Sequence, residues 1–396
     1  MYDRALGRSL AKTASTASRA SVEVFRDLAE LEPVWRQLET QGHATVFQCW
    51  SVFQAWVRHI AVPQQITWVV IGLMNSQTRA PLMLLPLAVR RSNGLTVIEF
   101  ADFGVSDFNS PVFADGFRPD ANEMQRHWTK ILDALPAGDL LHVAKIPHHI
   151  NGQKNPMLAL AGVRRMTLSA FGTPIGNDWE AFMRCSIEPA LLKDIEKRTR
   201  KLEKRGQVKF EVTADREASQ AAFEAMCVQR AERHAVMQRQ NILARAETRN
   251  FYNALFDQPG CPGAAVVASL SIDEDIIATG YGLVRNNVFH MIFPTFKAGR
   301  WRNYSPGLQI FLRTMRWASE NGITYFDFTI GAESFKLQFG ATERPLYEKL
   351  VALSPRGVPA VMANQVKRVV RQSPAAAHWA LSAFAALKSS NFGTAS

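Results

Sequence analysis

Hydrophobic positions along this chain repeat with two periods, near two residues in some stretches and between three and four in others. In the first half, Val22 to Phe25 reads as a short strand. Trp35 and Leu38, then Phe53, Trp56 and Val57, fall at helical spacing. Strand-like runs follow at 65–73 (QITWVVIGL), 81–91 (PLMLLPLAVRR) and 94–104 (GLTVIEFADFG). DFNSPVF (107–113) precedes a helical stretch around 121–135 and another strand, DLLHVAKI, at 139–146.

From about residue 188 the order recurs. A helix carries Leu191, Ile195 and Leu202 on one stripe, and a long helical region covers 215–257. Strands follow at 263–272, 276–286 and 288–296, then a helix that begins in NYSPGLQIF (303–311), then the strand ITYFDFTI (323–330). FNSP (108–111) occupies in the first half the place of NYSP (303–306) in the second. The pattern predicts two similar α/β lobes in tandem, 21–175 and 185–353, joined near 170–188. They lie between a disordered basic tail, 1–20, and a basic, partly amphipathic tail, 354–396.

A chain of 396 residues is ample for two domains, and 47% hydrophobic with 20% charged residues suits a soluble globular protein. No window approaches the roughly 18 uninterrupted apolar residues of a membrane span. The N-terminus lacks the apolar core of a secretory signal. Cys49, Cys185, Cys227 and Cys261 stand far apart, which argues against a disulfide framework or a zinc site and fits a reducing cytosol. His148 and His149 have no ligand-type residues at metal spacing, and no metal is expected. The net charge of +11 divides into +3 on residues 1–20, +5 on 354–396 and +4 on the helix KDIEKRTRKLEKR (193–205). The remainder is near neutral. Without an RNA- or DNA-binding signature, the basic helix reads as a solvated face, and nucleic acid is not expected as a partner.

The chemistry concentrates in 288–340. Ser305 is placed to cap the helix through its hydroxyl, and Pro306 suits the first helical position. Gly307 weakens a helix start by up to about 1 kcal/mol relative to Ala, and in exchange lets a ligand approach the backbone. Free N–H groups at a helix start suit a phosphate or pyrophosphate, although many Ser-Pro helix starts bind nothing. Lys297, Arg300 and Arg302 crowd the preceding loop. After it, FDFTIGAESFKLQFG (326–340) sets Asp327 on a strand and Glu333 and Lys336 three residues apart, where a surface ion pair is the plainer reading.

NYSPGLQIFLRTMRWASENGITYFDFTIGAESFKLQFG resembles the last half of the acetyltransferase domain of CelD-type proteins. These form a branch of the GNAT superfamily often found with cellulose and exopolysaccharide genes. VFQCWSVFQAW (46–56) resembles that family's N-terminal signature, and LLKDIEKRTRKLEKRGQVKFEV (191–212) its basic helix and following strand. The resemblance covers about residues 22–350, and the double lobe is also similar to the Fem-type aminoacyl transferases.

The resemblance implies mixed α+β sheets in two GNAT-like lobes, the first degenerate and on the substrate side. It also implies an acyl-CoA donor such as acetyl-CoA, and transfer to an amine or hydroxyl on a sugar or polysaccharide precursor. Strands 288–296 and 323–330 would splay to admit the pantetheine arm. The CoA contacts it implies are Phe293, Thr295, Arg300, Arg302, Ser305, Gly307 and Leu308, although RWRNYSPG (300–307) keeps only one glycine of the usual pyrophosphate loop. Gln48, Trp56, Asp107 and Asn109 would meet the acceptor. Asp327 or Glu333 would be the base, Lys336 would stabilise negative charge, and Tyr304 would protonate the leaving thiolate. The implied setting is cytoplasmic, with a peripheral membrane contact through the C-terminal tail.

Three other readings stand beside this one. DFG at 102–104 hints at a kinase, but the accompanying kinase motifs are missing. The second is Fem-like transfer from aminoacyl-tRNA, and the third a non-catalytic accessory protein of polysaccharide synthesis at the membrane face.

Overall fold

The computed structural model describes residues 20–257 and 263–372. The expected tail 1–20 falls almost wholly outside them, as does 373–396 of the expected C-terminal tail. The first lobe begins with β1 (Ala20–Phe25), α1 (Leu28–Gln41), β2 (Gly42–His43) and α2 (Trp50–Trp56). Three long strands follow, β3 (Thr67–Asn75), β4 (Pro81–Ser92) and β5 (Leu95–Phe100), then β6 (Val112–Ala114) and α3 (Ala121–Asp133). It ends with β7 (Leu140–Pro147), a small hairpin of β8 (His149–Ile150) and β9 (Gln153–Lys154), and β10 (Arg164–Pro174). Local signals explain the helices. Asp27 accepts the Ala29 and Glu30 N–H groups to start α1, and Asp120 accepts that of Glu123 to start α3. Met124, Trp128 and Ile131 form the buried stripe of α3.

The second lobe follows with α4 (Trp179–Ser186), α5 (Pro189–Glu203), β11 (Val208–Thr213), α6 (Arg216–Val236) and α7 (Ala246–Ala254). Next come β12 (Ala265–Ile272), β13 (Asp275–Arg285), β14 (Val288–Phe296), α8 (Pro306–Glu320) and β15 (Tyr325–Ile330). The chain closes with α9 (Phe335–Gln338), β16 (Thr342–Ala352) and α10 (Val358–Gln372). Val358, Met362 and Val366 are exposed along α10. Among the described residues no helix is long and apolar enough to cross a membrane.

The duplication is plain in the sheet. Its path is β1-β3-β4-β5-β7-β16-β10-β15-β14-β13-β12-β11, with β2 and β6 at the side. In each lobe three antiparallel pairings lead to one parallel pair, β5 with β7 and β14 with β15. The lobes then exchange their last strands. β16 of the second lobe lies against β7 of the first, β10 of the first lies against β15 of the second, and β10 and β16 pair with each other. The segments 21–175 and 185–353 therefore do not close as separate sheets. The exchange was not legible because β10 and β16 mix charged, Gly and Pro positions with apolar ones, and their partners lie in the other half of the chain.

Two local expectations change. Ser110 and Pro111 lead into β6, and the helix of that half starts at Ala121, so FNSP is not the counterpart of NYSP. The helical region 215–257 breaks after Val236 at a turn where Gln238 has φ +50° and the Arg239 N–H bonds the His234 carbonyl at 3.0 Å. That turn has no Gly or Pro, and it presents Met237, Arg239 and Gln240 to a cavity.

One core joins the lobes. Trp35, Trp50, Phe53 and Trp56 belong to the same buried cluster as Phe223, Phe251, Tyr252, Tyr281 and Phe293. Beside it, Arg285 at the end of β13 donates to Glu39 Oε1 on α1 at 2.9 Å, with both side chains at most 10% exposed. The Glu39 carboxylate also accepts the Trp50 N–H. Arg285→Ala leaves that carboxylate buried and unpaired, so we expect a loss of about 3–5 kcal/mol, measured by urea denaturation.

Candidate active site

The parallel pairing of β14 with β15 lasts only from Val288–Tyr325 to His290–Asp327. Beyond it the strands diverge. β14 stays bound to β13 through a bulge, with Tyr281 opposite Phe293 and Gly282 opposite Met291, which leaves Ile292 as the extra residue. Residues 291–296 therefore keep one edge of their backbone free of a strand partner. A cavity of about 660 Å³ fills this opening, lined by Met291 to Phe296 on one side and Phe328 to Ile330 on the other. The expected splay of 288–296 and 323–330 is the geometry found.

At the outer end of the cavity stands the start of α8. Ser305 is left-handed, at φ 48° and ψ 50°, and its side chain caps nothing. The expected hydroxyl cap is corrected: a tight 3₁₀ turn over Gly299–Tyr304 runs straight into the helix and requires this conformation. The Leu308 and Gln309 N–H groups both bond the Ser305 carbonyl. Pro306 has no N–H, and among the described residues that of Gly307 has no backbone partner. A Cβ on Gly307 would stand 2.9 Å from the Phe296 ring, so only glycine leaves this wall open.

The cations differ from those expected. Lys297 bonds Asp275 at 2.8 Å, and Arg300 lies over Trp301 and 3.7 Å from the same carboxylate, outside the cavity. Arg302 does line it, joined by Arg230 and Arg233 from α6 and Arg239 from the turn after it. Arg230 lies 4.5 Å from the Phe293 ring centroid and Arg233 5.1 Å from that of Phe296. Helical spacing on α6 held the only signal for Arg230 and Arg233, and it carried no ligand chemistry. The basic face of α5 is partly structural, since Arg198 donates to the Asn303 carbonyl and Arg205 to the Tyr304 hydroxyl. Tyr304 is thereby turned toward α5 and does not line the cavity.

The four residues expected on the substrate side converge on one loop, 102–109. Gln48 donates to the Phe108 carbonyl at 3.2 Å, Trp56 to the Asp102 carbonyl at 3.3 Å, and Asn109 to the Asp102 carboxylate at 3.0 Å. All three are buried supports. Lys145 bonds Asp102 and the Ser106 carbonyl, both at 2.7 Å, and Tyr252 of α7 bonds the Val105 carbonyl at 2.9 Å. Asp107 is the member that reaches the cavity, beside Thr329. Burial pushes its carboxyl up to about 6, with Lys145 opposing and Asp102 and Asp327 adding to the rise.

Asp327 points elsewhere. It is fully buried, and it accepts from Arg344 at 2.6 Å and from the Thr329 N–H at 2.8 Å, with His290 at 3.5 Å. Burial alone would raise its pKa, but Arg344 and His290 outweigh it and hold the carboxyl at about 2. Such a group is a structural anion and a poor base. Lys336 is buried too, with Nζ bonded to the carbonyls of Phe328, Ile330 and Gly331 at 2.9–3.1 Å and to Glu333 at 3.0 Å. Its donors hold the diverging end of β15, so it positions backbone. Glu333 sits at the rim with its carboxylate largely exposed.

The opening fits the pantetheine arm of an acyl-CoA. The Thr295 hydroxyl is buried, unpartnered and on the cavity wall, and the free edge of 291–296 and the Gly307 N–H face the same space. Among the described residues no three His, Cys, Asp or Glu side chains group as metal ligands.

Residues 190–337, which build this half of the sheet, match the family model of an acetyltransferase (GNAT) domain. The second lobe is thus similar to a GNAT acetyltransferase domain, within a GNAT-like mixed α/β architecture. Similar folds span nearly the whole chain. A crystal structure of FemX matches with TM-score 0.57 and 12% identity over 86% of this chain and 99% of that one. The C-terminal domain of a putative lysylphosphatidylglycerol synthetase from Agrobacterium fabrum matches with TM-score 0.51 and 14% identity over 86% and 97%. A conserved protein of unknown function from Bacteroides thetaiotaomicron gives 0.53 and 9% over 83% and 99%. At these identities the likeness is one of fold. No curated protein sequence matches the chain.

The Asp327–Arg344 pair sets an acid limit. Its stabilising contribution is present above the ordinary carboxylate value of about 3.9 and lost as pH falls toward about 2. Arg344→Ala should cost about 3 kcal/mol, the low end for a broken buried pair because the guanidinium is 34% exposed. It should also flatten the acid limb of a pH series of urea titrations.

Proposed function

We propose that the chain is an acyl-CoA-dependent acyltransferase whose second lobe binds the donor and whose first lobe supplies the general base, Asp107. The observation that carries this reading is the placement of that carboxyl, with its raised pKa, in the opening between β14 and β15 of the GNAT domain. Acyl-CoA, when bound, supplies an activated thioester carbonyl. The free backbone edge of 291–296 offers N–H groups toward that carbonyl. Asp107 takes the proton of the incoming amine or hydroxyl as that atom bonds the thioester carbon, and returns it to the sulfur as the C–S bond breaks, so that CoA leaves as the thiol. Gly307, Arg302 and Arg233 hold the pyrophosphate. Phe293 and Thr295 line the path of the arm. The acceptor is a sugar or polysaccharide precursor on this reading, and its class rests on the resemblance to CelD-type proteins.

Asp107→Asn should lower kcat about 10²–10⁴-fold, the usual contribution of a positioned base. Because the base acts when ionised, wild-type rate should rise with pH through about 6 and fall below it. An unchanged rate and pH profile in the variant removes Asp107 from this role. Gly307→Glu brings bulk and negative charge to the helix start, and acetyl-CoA affinity by calorimetry should drop about tenfold or more. Indifference of wild-type melting to CoA, with salt-sensitive tRNA binding, would instead favour transfer from aminoacyl-tRNA.

A further inference from the structure

Arg230 is a feature of the cavity that simple acetyl transfer leaves unused. It comes from the second-last turn of α6 and lines the same space as Asp107. Its Nε is buried without a hydrogen-bond partner, and among the described residues its guanidinium has no ion pair. The contact it does make is with the Phe293 ring. Burial depresses its pKa, with Arg233 adding to this and Tyr252 and Asp107 opposing, yet an arginine stays charged at neutral pH. Arg230 is half-buried, and a cation with a buried donor left unpartnered is costly and is matched by an anion when one can reach it.

Position tells which part of a ligand that is. Arg233, one turn further along α6, lies over Phe296, the ring that packs against Gly307 at the helix start. Arg230 lies over Phe293, three residues back along β14 and next to the bulge at Ile292. The two arginines therefore address different depths of the opening, Arg233 the phosphate end and Arg230 the reacting end. The Thr295 hydroxyl, also buried and unpartnered, stands on the same face of β14 as Phe293 and adds a neutral donor.

Resting on the acyltransferase reading, we propose that Arg230 recognises a carboxylate carried by one of the two substrates close to the reacting carbon. Two sources share that chemistry. One is an acyl group that ends in a carboxylate, as in a dicarboxylic monothioester, and the other is an acceptor amine with a neighbouring carboxylate. A guanidinium fork matches either geometry with paired N–H donors.

The first test needs no CoA. Succinate should raise the melting temperature of the full chain and succinamide should not. The difference should vanish in Arg230→Gln and persist in part in Arg230→Lys. Turnover then separates the sources. If the donor bears the carboxylate, succinyl-CoA should exceed butyryl-CoA in kcat/KM by about tenfold or more, the size of one charge-assisted hydrogen bond. If the acceptor bears it, an amino acid should exceed its decarboxylated amine by the same factor. Either preference should disappear in Arg230→Gln. Equal response to succinate and succinamide, or a preference that survives Arg230→Gln, overturns the assignment. Failure of the acyltransferase reading shows separately, as indifference of wild type to CoA while the succinate response remains.

Discussion

The exchange of β10 and β16 is the constraint on which the molecule turns. Each lobe stops one strand short, and the missing strand comes from the other. Backbone hydrogen bonds cannot be left open in the middle of a sheet, so the two lobes are locked in one relative placement. That placement carries the loop 102–109 across to the opening in the other lobe, where Tyr252 receives it. A hinge between freely closing domains would have left Asp107 without a fixed address.

The two lobes repeat one plan and use it differently. In the first, the parallel pairing of β5 and β7 also stops after three residue pairs. The space beyond is a cavity of about 680 Å³ whose charges are already paired, since Lys145 reaches Asp102 and the Ser106 carbonyl and Asn109 bonds the same aspartate. In the second, the matching space stays open because the bulge at Ile292 moves β14 aside and Lys336 pins the end of β15 through three carbonyls. Both copies hold a cavity, the first lined by charges already paired with each other and the second by donors without partners.

Much of this was legible in the sequence. The alternating runs marked β3, β4, β12, β13 and β14, and Ser-Pro-Gly after a strand marked the start of α8. What the sequence could not carry was the direction of single side chains. Asp327 and Lys336 lie in the most suggestive motif of the chain, yet one faces Arg344 and the other faces carbonyls. The sequence points Asp107 to the acceptor side, but its place at the cavity of the second lobe depends on the strand exchange, which pairs residues far apart in the chain. Gln48, Trp56 and Asn109, which the resemblance suggests as binding residues, act as the scaffold of the loop that holds Asp107. Arg230 and Arg233 carried no sign beyond helical spacing, because the rings they cover, Phe293 and Phe296, sit on a strand some sixty residues later.

The exchange also bears on how the chain is made. β7 ends at Pro147, and its partner on one side does not begin until Thr342. At synthesis rates of about 5–20 residues per second, the roughly 200 residues between them take about 10–40 s to emerge. Throughout that interval the first lobe presents an unpaired, apolar strand edge, a surface that invites wrong pairing. The nascent chain thus has a long exposed interval before its last strand arrives, and demand for chaperone protection should be greatest then.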